Sequence, residues 1–102
     1  MAEFKKAATK DQLAPGECTT VEVDGTAVAL FNVGGQFYAI DNTCVHRGGP
    51  LGEGELEDNV VTCPWHGWRY DVTTGVSLVN AAAKVAKYQV KVEGNDVLVA
   101  LE

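Results

Sequence analysis

Three two-residue turn signals divide the chain into short apolar segments, and this punctuation restricts the fold more than any other feature. The pairs are Asp24-Gly25, Gly34-Gly35 and Gly94-Asn95. Pairs of this type favour tight β-hairpin turns, because their residues adopt positive φ at little cost. The flanking segments have the length of strands and are rich in Val, Phe, Tyr or Thr. The sequence therefore predicts an all-β fold, an antiparallel sandwich or barrel.

Segments with strand composition surround these turns. They are Cys18–Val23, Thr26–Val33 and residues 36–40, 59–62, 68–71, 86–93 and 96–101. Apolar residues in the last segment alternate with a spacing of two, as one face of a half-buried strand requires. Cys18 lies on the first predicted strand, far from the other cysteines in sequence, and we expect it to be a small buried apolar residue.

Size and charge limit the functions that this chain can have. It has 102 residues, which favour one domain over residues 1–102, and a net charge of −6. An acidic chain is a poor partner for nucleic acid, because phosphate binding needs a cationic surface. No apolar stretch approaches the ~20 residues that span a bilayer, and we expect no signal peptide, because the first residues contain no long apolar segment. We therefore expect a soluble cytoplasmic protein with no membrane contact.

Residues 41–54 break the strand pattern, because they contain four glycines and few strand formers. The glycines are Gly48, Gly49, Gly52 and Gly54. Such a segment is typical of a loop whose backbone approaches another group closely.

Both histidines of the chain lie close to a cysteine, one pair in this loop and one in the next. The first pair is Cys44 and His46, and the second is Cys63 and His66, in the pattern C-x-H, sixteen residues, C-x-x-H. Thiolate and imidazole together indicate a soft or borderline metal. The four residues are therefore candidate metal ligands.

Three interpretations of these ligands are open. A tetrahedral zinc ion also takes two Cys and two His, although one residue between Cys44 and His46 is a short spacing for it. A [2Fe–2S] cluster with two cysteines on one iron and two histidines on the other suits the pattern better. Its loop glycines would then let backbone N–H groups reach the cluster sulfurs. The last interpretation is ordinary core packing of these side chains.

Residues 44–51 and 63–68 resemble the two cluster-binding loops of Rieske [2Fe–2S] proteins. Tyr70-Asp71, Thr74-Gly75 and residues 37–40 are similar to the same family. The resemblance implies one [2Fe–2S] cluster per chain, held in a small cluster-binding subdomain of about residues 41–71 on an antiparallel β sandwich. It further implies that Cys44 and Cys63 bind the inner iron, and that His46 and His66 bind the outer iron.

Two differences locate the chain within that family. Gly49 and Trp65 stand where the Rieske proteins of cytochrome complexes have two further cysteines joined by a disulfide. Trp68 stands where those proteins have a serine that hydrogen-bonds a cluster sulfide. These differences favour the lower end of the Rieske range of potentials, which runs from roughly −150 to +300 mV.

The resemblance is strongest to the free-standing Rieske ferredoxins of bacterial aromatic-ring dioxygenases. It implies an electron carrier without catalytic residues, a monomer that takes electrons from a flavin-dependent ferredoxin reductase and passes them to a terminal oxygenase. A small electron-transfer subunit of a nitrite reductase, or of another multi-component oxidoreductase, is the alternative. The carboxylates that follow the first loop are candidates for docking a basic partner: Glu53, Glu55, Glu57 and Asp58.

Overall fold

The computed structural model describes residues 4–43, 50–64, 67–79 and 83–101. In these ranges the chain forms nine strands and two short 3-10 turns, at Lys10–Gln12 and Leu51–Glu53. The strands are β1 Phe4–Thr9, β2 Cys18–Val23, β3 Thr26–Val33, β4 Gln36–Asp41, β5 Glu55–Glu57, β6 Val60–Thr62, β7 Arg69–Asp71, β8 Lys87–Glu93 and β9 Asp96–Ala100.

The strands form two antiparallel sheets. The large sheet has six strands in the order β1-β9-β8-β4-β3-β2, and β1 also packs against β2, so the sheet nearly closes into a barrel. The small sheet has three strands in the order β5-β6-β7. The predicted all-β antiparallel fold is confirmed.

Tight turns connect the strands where the sequence predicts them. Asp24 and Gly25 have φ of 51° and 79°, and Gly34 and Gly35 have φ of 59° and 98°. Two consecutive positive φ angles match the right-handed twist of the flanking strands in a two-residue hairpin. β1 and β5 were not among the predicted strands, because β1 pairs with the distant β9 and β5 is three residues long.

Two apolar cores lie on opposite sides of β3, whose residues 28–32 are all buried. The barrel core fills the large sheet and consists of Ala8, Leu13, Val23, Val28, Leu30, Ala39, Val97 and Val99. The subdomain core joins the large sheet to the small one and consists of Ala29, Phe31, Ile40, Leu51, Val61, Cys63, Tyr70, Val72 and Val85. Alternating residues of β3 contribute to each core, as the period of two along a strand requires.

Candidate metal centre

The structure describes one of the four predicted metal ligands, Cys63. Cys44, His46 and His66 lie outside the described residues, as do Gly49 and Trp65. Within the described ranges no group of three or more His, Cys, Asp and Glu side chains comes together. The convergence of the four ligands therefore stays a prediction.

Cys63 lies at the base of the second predicted loop, directly after β6. It is 1% exposed and packs in the subdomain core with Leu51, Val61 and Tyr70. Its backbone N–H donates to the carbonyl oxygen of Trp68 at 2.6 Å, which joins the two ends of the loop. A sulfur ligand in this position is shielded from water, and a soft metal would offset the cost of burying its thiolate charge. The site of Cys63 therefore fits an iron–sulfur cluster.

The second loop leaves the core immediately after Cys63. Pro64 is exposed, and so is Gly67, which has a φ of +73° in open space. A glycine accommodates that backbone conformation without the strain that a Cβ would cause. The chain thus passes within one residue from a buried sulfur to the surface.

The first predicted loop is fixed at both ends by Asn42, which is 8% exposed. Its backbone carbonyl accepts the N–H of Leu51 at 2.7 Å, and its side-chain Oδ1 accepts the N–H of Gly52 at 2.8 Å. The hydroxyl of Thr20 on β2 donates to the same Oδ1 at 3.0 Å. An antiparallel bridge between Thr43 and Pro50 brings the two loop ends together.

Asn42 was not among the predicted site residues, although the sequence carries one signal for it. Asparagine directly after a strand and before a glycine-rich loop is typical of side chains that cap backbone N–H groups. The pattern alone does not show which N–H groups it caps, because Gly52 is ten residues away.

Gly52 and Gly54 lie where the backbone approaches another group closely, as predicted, but that group is the protein's own chain. A Cβ on Gly52 would be 2.5 Å from Oγ1 of Thr20 and 2.6 Å from the carbonyl oxygen of Thr19. A Cβ on Gly54 would overlap the carbonyl oxygen of Thr62. The N–H groups of these two glycines donate within the chain, from Gly52 to Oδ1 of Asn42 and from Gly54 to the carbonyl oxygen of Leu51. Gly52 and Gly54 let the Leu51–Glu53 turn pack directly on β2 and β6. Gly48 and Gly49, the other glycines expected to admit N–H groups to the cluster sulfurs, lie outside the described residues.

Cys18 connects the same turn to the large sheet. Its thiol donates to the carbonyl oxygen of Gly54 at 3.2 Å, and its side chain packs against the subdomain core. Burial, and in addition the negative charge of Glu17, raises the pKa of the Cys18 thiol above its usual range. The thiol of Cys18 is therefore protonated, and the side chain serves in packing. Cys18 is only half-buried, whereas a fully buried residue was expected.

A segment after β7 extends the small sheet. Ser77 forms an antiparallel bridge with Tyr70, and Val76 forms one with Lys84. The turn that starts this segment depends on Asp71, whose carboxylate accepts the backbone N–H of Thr73 at 2.9 Å and its hydroxyl at 2.6 Å. The segment is thereby fixed beside the strand that follows the second loop.

No helix in the described part of the chain is long and apolar enough to cross a membrane.

Comparison with known proteins adds the family. Residues 3–89 match the Rieske [2Fe-2S] domain. The ferredoxin component of the naphthalene 1,2-dioxygenase/salicylate 5-hydroxylase systems of Ralstonia sp is 38% identical over 97 residues, 94% of this chain and 93% of that protein. The ferredoxin component of biphenyl 2,3-dioxygenase from Rhodococcus jostii is 41% identical over 98 residues, 95% of this chain and 92% of that protein.

Solved structures are similar along nearly the whole chain. The ferredoxin of carbazole 1,9a-dioxygenase from Nocardioides aromaticivorans has a TM-score of 0.90 and 36% identity, over 97% of this chain and 98% of that one. A ferredoxin in complex with the reduced oxygenase of carbazole 1,9a-dioxygenase has a TM-score of 0.87 and 32% identity, over 95% of this chain and 92% of that one. A putative nitrite reductase small subunit from Mycobacterium tuberculosis has a TM-score of 0.90 and 25% identity, over 98% of this chain and 96% of that one. From these matches and the buried Cys63, we conclude that the chain belongs to the family of Rieske [2Fe-2S] proteins.

Proposed function

We propose that this chain is an electron-transfer ferredoxin that takes electrons singly from a flavin-dependent ferredoxin reductase and delivers them to a terminal oxygenase. The observation that carries this proposal is the match to ferredoxin components of dioxygenase systems over more than 90% of both lengths. The chain's cofactor is a [2Fe–2S] cluster, which accepts and releases one electron when bound. The chain is an electron carrier and not the catalytic component of the system.

The proposed ligands are Cys44 and Cys63 on one iron and His46 and His66 on the other. The burial of Cys63 supports the first pair, because a thiolate ligand is expected on the inner side. The exposure of Pro64, one residue later, supports an outer position for His66. Each loop would then supply one sulfur and one nitrogen ligand.

The chain's own residues protect and position this site. Leu51, Val61 and Tyr70 are fully buried around Cys63 and exclude water from the sulfur. Asn42 fixes both ends of the first loop on the large sheet. We propose residues 1–102 as one domain, with a cluster-binding subdomain of about residues 41–71, and the small sheet within that range supports the boundaries.

Location and assembly are further parts of the proposal. We place the protein in the cytoplasm, because thiolate ligands require cysteines that are kept reduced. We also propose a monomer, since a carrier must expose its metal centre to two partners in turn. Light scattering of the cluster-loaded protein would test the monomer.

A small subunit of a nitrite reductase is the second candidate function, because such a subunit has a TM-score of 0.90 with this chain. Its identity of 25% is well below the 38% and 41% of the dioxygenase ferredoxins, so the ferredoxin function is favoured. Isolation of the native protein separates the two, because a subunit purifies with a large reductase and a ferredoxin purifies alone.

The cluster and its ligands are tested by anaerobic reconstitution with iron and sulfide. We expect a coloured protein with two irons per chain and an electron-spin resonance signal on reduction. The variant His46→Cys should lose or strongly shift that signal. Cys18→Ser is the matched control and should keep it, because Cys18 bonds to a backbone carbonyl. A colourless protein, or one zinc ion per chain, would contradict the proposal.

The carrier function is tested by supplying the cluster-loaded protein to the reductases and terminal oxygenases of naphthalene and biphenyl dioxygenase systems. We expect the protein to restore product formation with at least one pair from which the ferredoxin has been omitted. If it takes no electrons from any reductase and reduces no oxygenase, the proposed function is wrong.

A further inference from the structure

Two adjacent aliphatic side chains are exposed on the segment that follows β7. Leu78 is 54% exposed and Val79 is 56% exposed. Among the described residues one other large apolar side chain is comparably exposed, Val92 on β8 at 41%. Single exposed apolar residues are common on protein surfaces, whereas adjacent ones beside a functional loop indicate a contact site.

The backbone holds this pair in its exposed position. The N–H of Leu78 donates to the carbonyl oxygen of Arg69 at 2.8 Å, and the N–H of Val79 donates to the hydroxyl of Ser77 at 3.1 Å. Ser77 is itself 2% exposed, and its N–H donates to the carbonyl oxygen of Ala83 at 2.9 Å. The buried Ser77 anchors the segment, so that the next two side chains point outward.

The strand register places this pair at the end of the small sheet that carries the second loop. Glu55 pairs with Thr62, and Thr62 pairs with Arg69, so these residues form a row across β5, β6 and β7. The hydrogen bond from the N–H of Leu78 to Arg69 extends this row beyond β7. Thr62 immediately precedes Cys63, so this row borders the loop that contains His66.

The strand register also places the carboxylates that were candidates for docking at different ends of the small sheet. Glu55 belongs to the row that borders the second loop. Glu57 pairs with Val60 at the opposite end of the small sheet, and Asp58 lies in the turn beyond it. Glu57 and Asp58 are therefore poorly placed to contact a partner at the metal centre, whereas Glu55 lies in the same row as the apolar pair.

We propose that Arg69, Leu78 and Val79, together the docking patch, form the contact surface for the terminal oxygenase. The inference rests on the proposed function. An electron carrier must bring its metal centre close to that of its partner, and the docking patch borders the loop of two proposed ligands. Such encounters use small interfaces, in which a few apolar side chains supply the affinity and a polar rim surrounds them. The partner is an oxygenase because a related ferredoxin, 32% identical, forms a complex with one.

The experiment compares two variants of the cluster-loaded protein, with the oxygenase that the wild-type protein reduces in the assay described above. The double variant Leu78→Ser, Val79→Ser removes the apolar pair, and Val92→Ser is the matched control on another surface. We expect the KM of the oxygenase for the double variant to rise about tenfold, since the exposed parts of two aliphatic side chains no longer leave water on binding. The KM for the control variant and the rate of electron uptake from the reductase should be unchanged.

Each other outcome has a defined meaning. An unchanged KM for the double variant, or an equal rise for Val92→Ser, overturns the docking patch. A rise in the KM of the reductase alone overturns the assignment to the oxygenase. If the wild-type protein reduces no oxygenase, the proposed function itself fails. The visible spectrum and the melting temperature of each variant must equal those of the wild type, which is expected because the altered side chains are exposed.

Discussion

Replacing Asn42 by alanine tests whether one side chain joins the first loop to the large sheet. The change removes the acceptor of two hydrogen bonds, from the N–H of Gly52 at 2.8 Å and from the hydroxyl of Thr20 at 3.0 Å. Gly52 is buried, so its N–H would be left without an acceptor, at a cost of about 1–3 kcal/mol. Loss of the bond from Thr20 adds about 0.5–1.5 kcal/mol. We expect the variant to be less stable by about 1.5–4.5 kcal/mol in total.

Thermal unfolding of the cluster-loaded protein measures this effect, by circular dichroism and visible absorbance in parallel. A loss of about 1.5–4.5 kcal/mol, at about 4–8 °C per kcal/mol, lowers the Tm by at least about 6 °C. We also expect the visible absorbance to disappear at lower temperature, because the lost side chain joins the start of the first loop to Gly52 beyond its end and to β2.

Two variants of Thr20 serve as controls for Asn42. Thr20→Ser keeps the hydroxyl and should melt close to the wild type, whereas Thr20→Val removes one bond and should lie between the wild type and Asn42→Ala. If Asn42→Ala melts within about 2 °C of the wild type, which is below about 0.5 kcal/mol, the reasoning is refuted.

Two further predictions concern the turn after β7. Calorimetry should show that Gly75→Ala lowers the unfolding free energy more than Gly94→Ala. Both glycines have positive φ, so both substitutions strain the backbone. Only at Gly75 would the new Cβ also meet a backbone oxygen, that of Val85 at 2.6 Å. Equal effects would refute the close contact. Burial raises the pKa of Asp71, but hydrogen bonds, chiefly from Thr73, outweigh it and hold the pKa below the ordinary 3.8. The ionised carboxylate therefore stabilises the folded state above that pH, and the contribution disappears as the pH falls through the lower folded-state pKa. The difference in unfolding free energy between the wild type and Asp71→Asn should shrink from pH 6 to pH 3, and a constant difference would contradict this assignment.

Local sequence information was sufficient where the structure depends on neighbouring residues. The turn pair at Asp24 and Gly25 fixes its hairpin because both positions need positive φ, which is a property of those residues alone. The strands Cys18–Val23 and Thr26–Val33 occur with the predicted bounds for the same reason. The spacing of cysteines and histidines favoured a [2Fe–2S] cluster, because it reflects the chemistry of the ligands and not the packing around them, and the resemblance of the two loops indicated the family.

Contacts between residues that are distant in the chain could not be predicted from local sequence patterns. The strand Phe4–Thr9 has little alternation and is fixed by pairing with residues 96–100 at the other end of the chain. The loop glycines were correctly expected to permit a close approach, but the approach of Gly52 to Thr20 follows from the packing of a turn on β2. A sequence pattern shows that space is needed and does not show what occupies it.

By itself the sequence determined the all-β fold, the hairpin turns and the candidate ligands of a Rieske cluster, because turn conformation and ligand chemistry are properties of individual residues and short spacings. Only the tertiary structure decided that Cys63 is buried, that Asn42 holds the first loop, and that Leu78 and Val79 are exposed beside the second. These features depend on which strands pair and in which register, and register is set by the packing of the whole chain.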